Sequence, residues 1–168
     1  MNIICGYSGL RPHAIVLVAT LKALRYHGGA KKAEYNSPAL EKVKKGFENL
    51  EKHIENIKKF GITPIVAINH YTNDSQEEID FIIDEVSKLG TKAVFSNCWA
   101  EGGKGTSNLA TAVVEIIESG KNNFKGLYDW SLSIQEKIKI IATEIYGADD
   151  VEYTPKAKEG LKMIKELG

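Results

Sequence analysis

Short apolar runs alternate with amphipathic segments along the first 121 residues of this chain. The runs at 14–19 and 64–68 are rich in β-branched residues, and the first is too short for a buried helix, so together with the segment at 92–96 they predict three strands. The first two are apolar on both faces, which is typical of strands buried inside a parallel sheet. Because helical segments separate the strands, the pattern predicts right-handed βαβ units. Three strands are few for such a sheet, which usually has about five or six, and this indicates part of a larger fold.

The longest helix is predicted from Ser37-Pro38 to about residue 60, with Ser37 as the N-cap and Pro38 at the first helical position. Its apolar residues recur at spacings of three and four and form one stripe, while the opposite face is rich in lysine and glutamate. Gly61 is placed to end this helix.

Residues typical of helix starts and helix ends predict the remaining helices. Residues 21–27 form a short helix, and the Ser-x-x-Glu capping boxes at 75–78 and 133–136 open helices that run to about 89 and 146. Further helices are expected at 107–119, with Ile117 on the buried side, and from 155 almost to the C-terminus. Residues 97–105 are predicted to be a glycine-rich loop. We therefore expect an α/β portion at 1–121 and a linker with C-terminal helices at 122–168.

The amino-acid composition of the chain excludes several classes of function. Lysine plus arginine and aspartate plus glutamate both number 22, so the chain lacks the basic surplus of a nucleic-acid-binding protein. Two cysteines without a CxxC motif indicate neither a disulfide framework nor a metal site, and they fit a reducing cytoplasm. The N-terminus has no signal-peptide pattern, and the longest apolar run is far shorter than the roughly 20 residues that span a bilayer.

The candidate chemistry lies where the strands end, because ligands of open α/β sheets bind at the carboxyl ends of strands. Asn69 follows the second strand directly, and its amide matches the donor and acceptor pattern of an adenine edge. Tyr71 and Trp99 lie on neighbouring strand-end loops and could sandwich a flat heterocycle. The structural alternatives are that Asn69 caps its strand or loop and that the two rings cover the top of the core.

The segment at 101–106, EGGKGT, is similar to a phosphate-binding loop but does not meet the motif. The pattern GxxxxGK[ST] needs glycine at position 98 and serine or threonine at position 105, where Cys98 and Gly105 stand. No other segment matches, so these 168 residues carry no P-loop. The glycines can still let the backbone approach a ligand closely.

Eight sequence blocks resemble formate–tetrahydrofolate ligase, and together they span essentially the whole chain. In order they are SGLRP at 8–12, VLVAT at 16–20, HGG at 27–29, NLEKHIEN at 49–56, VAIN at 66–69, WAEGGKG at 99–105, LYD at 127–129 and IYGAD at 145–149. The resemblance implies an ATP-dependent ligase in which formate attacks ATP to give formyl phosphate, and N10 of tetrahydrofolate then takes the formyl group. It implies a P-loop NTPase-like (Rossmann-like) portion of a larger enzyme, with Mg²⁺ accompanying ATP.

The resemblance also assigns roles to the strand-end residues. Tyr71, where phenylalanine is usual, and Trp99 correspond to the two aromatic residues that stack on the pterin of folate. We expect the nucleotide to be faced by Asn69, Asp74, Gly102 and Gly103. No catalytic residue and no metal ligand is predicted in this chain.

Members of this family are roughly three times longer, so the chain is expected to match their middle section without the upstream P-loop part or the C-terminal part. We expect it to be inactive alone, and to be either an expressed fragment or one chain of a split enzyme whose partner carries the P-loop. A sheet without its neighbouring strands exposes an edge and an apolar face, so a homo-oligomer is also expected. The alternatives are a non-catalytic folate- or nucleotide-binding module and a structural remnant of a truncated ligase.

Overall fold

The computed structural model describes residues 1–167, which form two compact units. One unit is Leu10–Lys125, and the other combines Met1–Gly9 with the residues from Gly126 onward. The first unit is an α/β fold with a parallel three-stranded sheet flanked by helices, so the predicted fold class is confirmed. The relation to P-loop NTPases and the domain boundary after residue 121 stay predictions.

The sheet has the order β1-β2-β3, and all three strands are parallel. The strands are β1 (Val16–Ala19), β2 (Ile65–Asn69) and β3 (Lys92–Ser96). The register pairs Ala19 with Ile68 and Asn69 with Ser96, so β2 and β3 end side by side at the carboxyl edge.

Helices connect the strands in the order that the pattern predicts. The helices of this unit are α2 (Leu21–His27), α3 (Leu40–Lys58), α4 (Gln76–Lys88), α5 (Cys98–Glu101) and α6 (Ser107–Glu118). Short 3₁₀ turns lie at Lys32–Glu34 and Gly102–Thr106. The first helix of the chain, α1 (Asn2–Ser8), belongs to the other unit. The capping box of α4 is present, with the Ser75 hydroxyl accepting from the Glu78 N–H. None of the helices among residues 1–167 has the length and apolar character needed to cross a membrane.

One face of the sheet carries the main core. Alternate residues of the strands, such as Val66 and Ile68, pack there with the apolar sides of α2, α3 and α4. On the other face, Ile65 and Val94 pack against Ala112 of α6. The α6 helix covers β2 and β3 but leaves β1 open.

The prediction that the first strand is buried on both faces is therefore wrong. Val16 and Val18 pair with Ile65 and Ala67 and so lie on the same face as α6, but α6 does not cover β1, and Val18 is 62% exposed. The prediction that Ile117 lies on the buried side of α6 is also wrong, because Ile117 is exposed and is not among the α6 residues that pack with Ile65 and Val94.

Two local predictions also need correction. The N-cap of α3 is Ala39 rather than Ser37, and Ala39 donates its N–H to the carboxylate of Glu78 at 2.8 Å, so a residue far along the chain satisfies this helix start. Residues 97–105 are not a loop, since α5 and a 3₁₀ turn occupy most of that segment.

Close packing of α2 against α3 depends on two glycines. A Cβ atom on Gly46 would lie 1.9 Å from the carbonyl oxygen of Leu24, and one on Gly28 would lie 1.8 Å from the carbonyl oxygen of Lys42. Both distances are far inside van der Waals contact, so any side chain here would push the two helices apart.

The second unit contains α1, α7 (Ile134–Ile140) and α8 (Pro155–Leu167). The capping box predicted at Ser133 and Glu136 is present, and the helix continues as a π-helical turn over Ile141–Ile145. The buried side chain of Asn2 accepts the N–H of Leu127 at 2.6 Å, which joins α1 to the segment before α7. The helix at Asn2–Ser8 was not predicted from the sequence.

Candidate functional site at the carboxyl edge of the sheet

The segments that follow β2 and β3 adjoin at the carboxyl edge. The N–H of His70 donates to the carbonyl of Ser96 at 3.0 Å, and the Sγ of Cys98 lies 3.8 Å from Oδ1 of Asn69. The His70 ring also contacts Phe95, with the ring centroids 5.0 Å apart. The structure thus brings together the two strand-end segments that hold most of the predicted site residues.

The two aromatic residues predicted to bind folate are both accessible. Tyr71 is 45% exposed on the loop after β2, and Trp99 is 71% exposed on α5. Neither ring contacts another aromatic ring among residues 1–167. A tryptophan with this exposure does not serve as a lid on the core, so its apolar face is available to a ligand.

The glycine-rich segment has a defined backbone. Gly102 adopts φ 58° and ψ −139°, a conformation that side chains rarely allow. A Cβ on Gly105 would lie 2.4 Å from the carbonyl oxygen of Asn97, and the N–H of Asn97 donates to the Gly105 carbonyl at 3.1 Å. Gly103 has open space around its Cα. Glycine is needed at 102 and 105 to close this segment on itself beside Trp99.

Asp74 lies at the end of the β2 loop, and both of its carboxylate oxygens have partners. Oδ2 accepts the N–H of Tyr71 at 2.8 Å, and Oδ1 lies 3.1 Å from Nη2 of Arg25. The Asp74 side chain is almost fully buried. Its predicted contact with the nucleotide stays a prediction.

Arg25 and Glu78 complete a buried ionic cluster with Asp74. The Arg25 guanidinium donates to both oxygens of Glu78, at 3.0 and 2.6 Å, and to the carbonyl of Tyr35 at 3.0 Å. Burial by itself lowers the pKa of Arg25 and raises that of Glu78. The hydrogen bonds and charges outweigh burial, so the pKa of Arg25 is raised and that of Glu78 is held below its ordinary value. Both groups are therefore charged at neutral pH.

Glu78 is predicted from the sequence only as part of a capping box, and Arg25 is not predicted at all. The sequence does indicate that Arg25 is buried, because it lies four residues after Leu21 and next to Leu24, on the face of α2 that packs into the core. An arginine at a core-facing position needs a buried acidic partner. The sequence does not tell which acidic residue fills that role, because Asp74 and Glu78 are about 50 positions away.

No group of three histidine, cysteine, aspartate or glutamate side chains within residues 1–167 is arranged to hold a metal ion. Cys5 and Cys98 are free thiols.

A parallel sheet with exposed aromatic and amide side chains at its carboxyl edge defines an α/β protein of the kind that binds small molecules at its strand ends. A family model described as formate–tetrahydrofolate ligase matches residues 1–168, the whole chain. The chain belongs to the formate–tetrahydrofolate ligase family, which confirms the resemblance seen in its sequence. Membership relates it to a ligase of one-carbon metabolism and implies ATP and tetrahydrofolate as substrates of the family.

Proposed function

We propose that this chain forms the folate- and adenine-facing portion of an ATP-dependent formate–tetrahydrofolate ligase. In that reaction formate attacks ATP to give formyl phosphate, and N10 of tetrahydrofolate takes the formyl group. The family match over all 168 residues supports the reaction class. The observation that carries the assignment of this portion is the exposure of Tyr71 and Trp99 on adjoining strand-end segments.

Tyr71 and Trp99 are proposed to stack on the pterin ring of tetrahydrofolate. Each aromatic face contributes about 1 kcal/mol beyond area burial, which corresponds to about a fivefold change in affinity. Both side chains are accessible without any rearrangement of the core, since neither is part of it.

The adenine of ATP is proposed to contact Asn69, with Gly102 and Gly103 allowing close approach of the backbone. The contact between Oδ1 of Asn69 and Sγ of Cys98 is long and weak, so it leaves the amide free to bind a purine edge. Mg²⁺ would accompany the phosphates of ATP, and residues 1–167 supply no cage of side chains for it.

Binding of tetrahydrofolate can be tested by tryptophan fluorescence. Replacing Trp130 by phenylalanine leaves Trp99 as the single tryptophan, since the chain has two. In this background we expect tetrahydrofolate to quench the emission saturably, after correction for its absorbance with free tryptophan.

Tyr71→Ala in that background should weaken binding about fivefold, because one stacking face is lost. Tyr146→Ala is the matched control, since Tyr146 is also an exposed tyrosine and lies in the other unit. Equal quenching in all variants, or no saturable quenching in any, would show that the proposed stack does not form.

We further propose that the isolated 168-residue chain does not turn over. Positioning and neutralising the γ-phosphate provide most of the catalysis in phosphoryl transfer, and these residues contain no P-loop to do so. A partner chain carrying that part, in a reducing compartment such as the cytoplasm, would complete the site. Formation of 10-formyltetrahydrofolate by the purified chain from ATP, formate and tetrahydrofolate, measured by chromatography, would refute this proposal.

A further inference from the structure

We propose that Arg25 and Asp74 are positioning residues that set the conformation of the loop carrying Tyr71. Arg25, Asp74 and Glu78 form one ionic cluster, which in the proposed function holds the Tyr71 side of the folate site in place. Its consequence for binding rests on the proposed contact between Tyr71 and the pterin. The loop geometry itself does not.

Asp74 closes the loop on itself. Its Oδ2 accepts the N–H of Tyr71 at 2.8 Å, and its own N–H donates to the carbonyl of Tyr71 at 2.9 Å. These two bonds fix the turn from Tyr71 to Asp74. The side chains of Tyr71, Thr72 and Asn73 are exposed, so apolar packing does little to hold the turn in place.

Arg25 ties this closed turn to the rigid part of the fold. Nη2 of Arg25 lies 3.1 Å from Oδ1 of Asp74, while the same guanidinium is held by Glu78 and by the Tyr35 carbonyl. Glu78 in turn accepts the N–H of Ala39 at the start of α3 and the hydroxyl of Ser75 at the start of α4. The loop is thereby connected to α2, α3 and α4 through one guanidinium.

Stability alone is a weak reason for such a cluster. Removing charges from water costs several kcal/mol per ion, and well-packed apolar residues of similar volume often stabilise a protein equally well. A bidentate guanidinium gives something that apolar packing does not, which is a fixed direction for each hydrogen bond. Here the hydrogen bond from Arg25 fixes the orientation of the Asp74 carboxylate, and that carboxylate in turn holds the backbone N–H of Tyr71.

Asp74→Asn isolates this function. Both oxygens of Asp74 accept from N–H groups, and asparagine offers only one acceptor oxygen, so either the bond from the Tyr71 N–H or the bond from Arg25 that anchors the loop must break. The Arg25–Glu78 pair is left in place. Asp84→Asn is the matched control, because it makes the same chemical change at an exposed position on α4.

The main measurement is amide hydrogen exchange by NMR in the full chain without ligand. We expect exchange of the Tyr71 amide to become about tenfold faster or more in Asp74→Asn, the loss expected for a hydrogen bond to a charged acceptor, while amides of β2 keep their protection. Asp84→Asn should leave both unchanged. In the unaltered chain the Tyr71 amide should already be protected despite its exposed side chain, and this check does not depend on any variant folding.

Binding of tetrahydrofolate, kept reduced and followed by calorimetry, completes the test. A faster Tyr71 amide together with about tenfold weaker binding supports the proposal. Unchanged loop exchange in Asp74→Asn, an unprotected Tyr71 amide in the unaltered chain, or a loosened loop with unaltered affinity overturns it. If the unaltered chain binds no tetrahydrofolate but its loop loosens as expected, the proposed function fails while the positioning of the loop is supported.

Discussion

The same substitution, glycine to alanine in a helix, is predicted to have opposite effects at two positions of this chain. In an unhindered helix the change stabilises by up to about 1 kcal/mol, because alanine has the higher helix propensity. A Cβ atom added to Gly160 in α8 would have no neighbouring atom within 4 Å, so this position is the unhindered case. Gly46 in α3 is the hindered case.

The magnitude at Gly46 follows from its contact with α2. A Cβ there would lie 1.9 Å from the carbonyl oxygen of Leu24, and a backbone carbonyl has no rotamer by which to move aside. Relief requires α2 and α3 to separate, which disrupts the packing of Leu21 and Leu24 against Phe47. Overpacking of this kind costs typically 1–3 kcal/mol, and we expect the upper end. After subtracting the propensity gain, Gly46→Ala should destabilise the protein by about 2 kcal/mol.

Urea unfolding followed by circular dichroism measures this difference. Gly46→Ala should lower the midpoint of the transition with its slope unchanged. Gly160→Ala should raise the midpoint slightly, by the equivalent of at most about 1 kcal/mol, with stronger protection of α8 amides against exchange. The reasoning is refuted if Gly46→Ala is as stable as the unaltered chain, since the close approach of the two helices would then not be a constraint.

Two further predictions concern the ionic cluster and the open strand. The pKa of Glu78 in the folded state is lowered from its ordinary value of 4.5, so its contribution to stability is present above that value and is lost as the pH falls through the folded pKa. Thermal melts from pH 7 to 3 should show this loss of stability in the unaltered chain. Glu78→Gln should be less stable at pH 7 and its melting temperature should depend less on pH. An equal pH dependence of the melting temperature in both proteins would contradict the lowered pKa of Glu78. The homo-oligomer expected from the sequence should form through β1, whose outer edge is unpaired among residues 1–167, so Val18→Lys should shift sedimentation toward the monomer. An unaltered chain that sediments as a monomer at all concentrations would rule out this association.

Features that depend on a few neighbouring residues were predictable from the sequence. The capping boxes at Ser75 and Ser133 use partners three residues away, so the pattern itself contains both members of each pair. The first two strands are short runs rich in β-branched residues, and the alternation of all three strands with helices made parallel pairing the expected topology.

Features that depend on distant residues were not predictable in this way. Ala39 is the N-cap of α3 because Glu78, 39 positions later, accepts its N–H. The exposure of Val18 depends on how far α6 extends across the sheet, which no local pattern encodes. The helical turn of α5 is only four residues long and therefore too short to show a helical period, and its three neighbouring glycines favoured a loop.

The candidate site combines both kinds of feature, and this explains which part of it the sequence could predict. The position of Tyr71 and Trp99 at neighbouring strand ends follows from the order of strands and the carboxyl-edge rule. What holds each residue in place does not follow from that rule, and the two differ. Tyr71 is connected through Asp74 to the buried guanidinium of Arg25. Trp99 lies on a single helical turn, which is closed by one backbone bond from Asn97 to Gly105 and by an exposed contact from Asn97 to Glu101. The contact from Asn97 to Glu101 is exposed, whereas Asp74 is anchored by a partly buried, charged contact with Arg25, so we expect the Trp99 side of the site to have the lower local stability. A flat ligand that bound between the two residues would thus contact Tyr71 in a position fixed by the fold, and Trp99 on a turn that can adjust to the ligand.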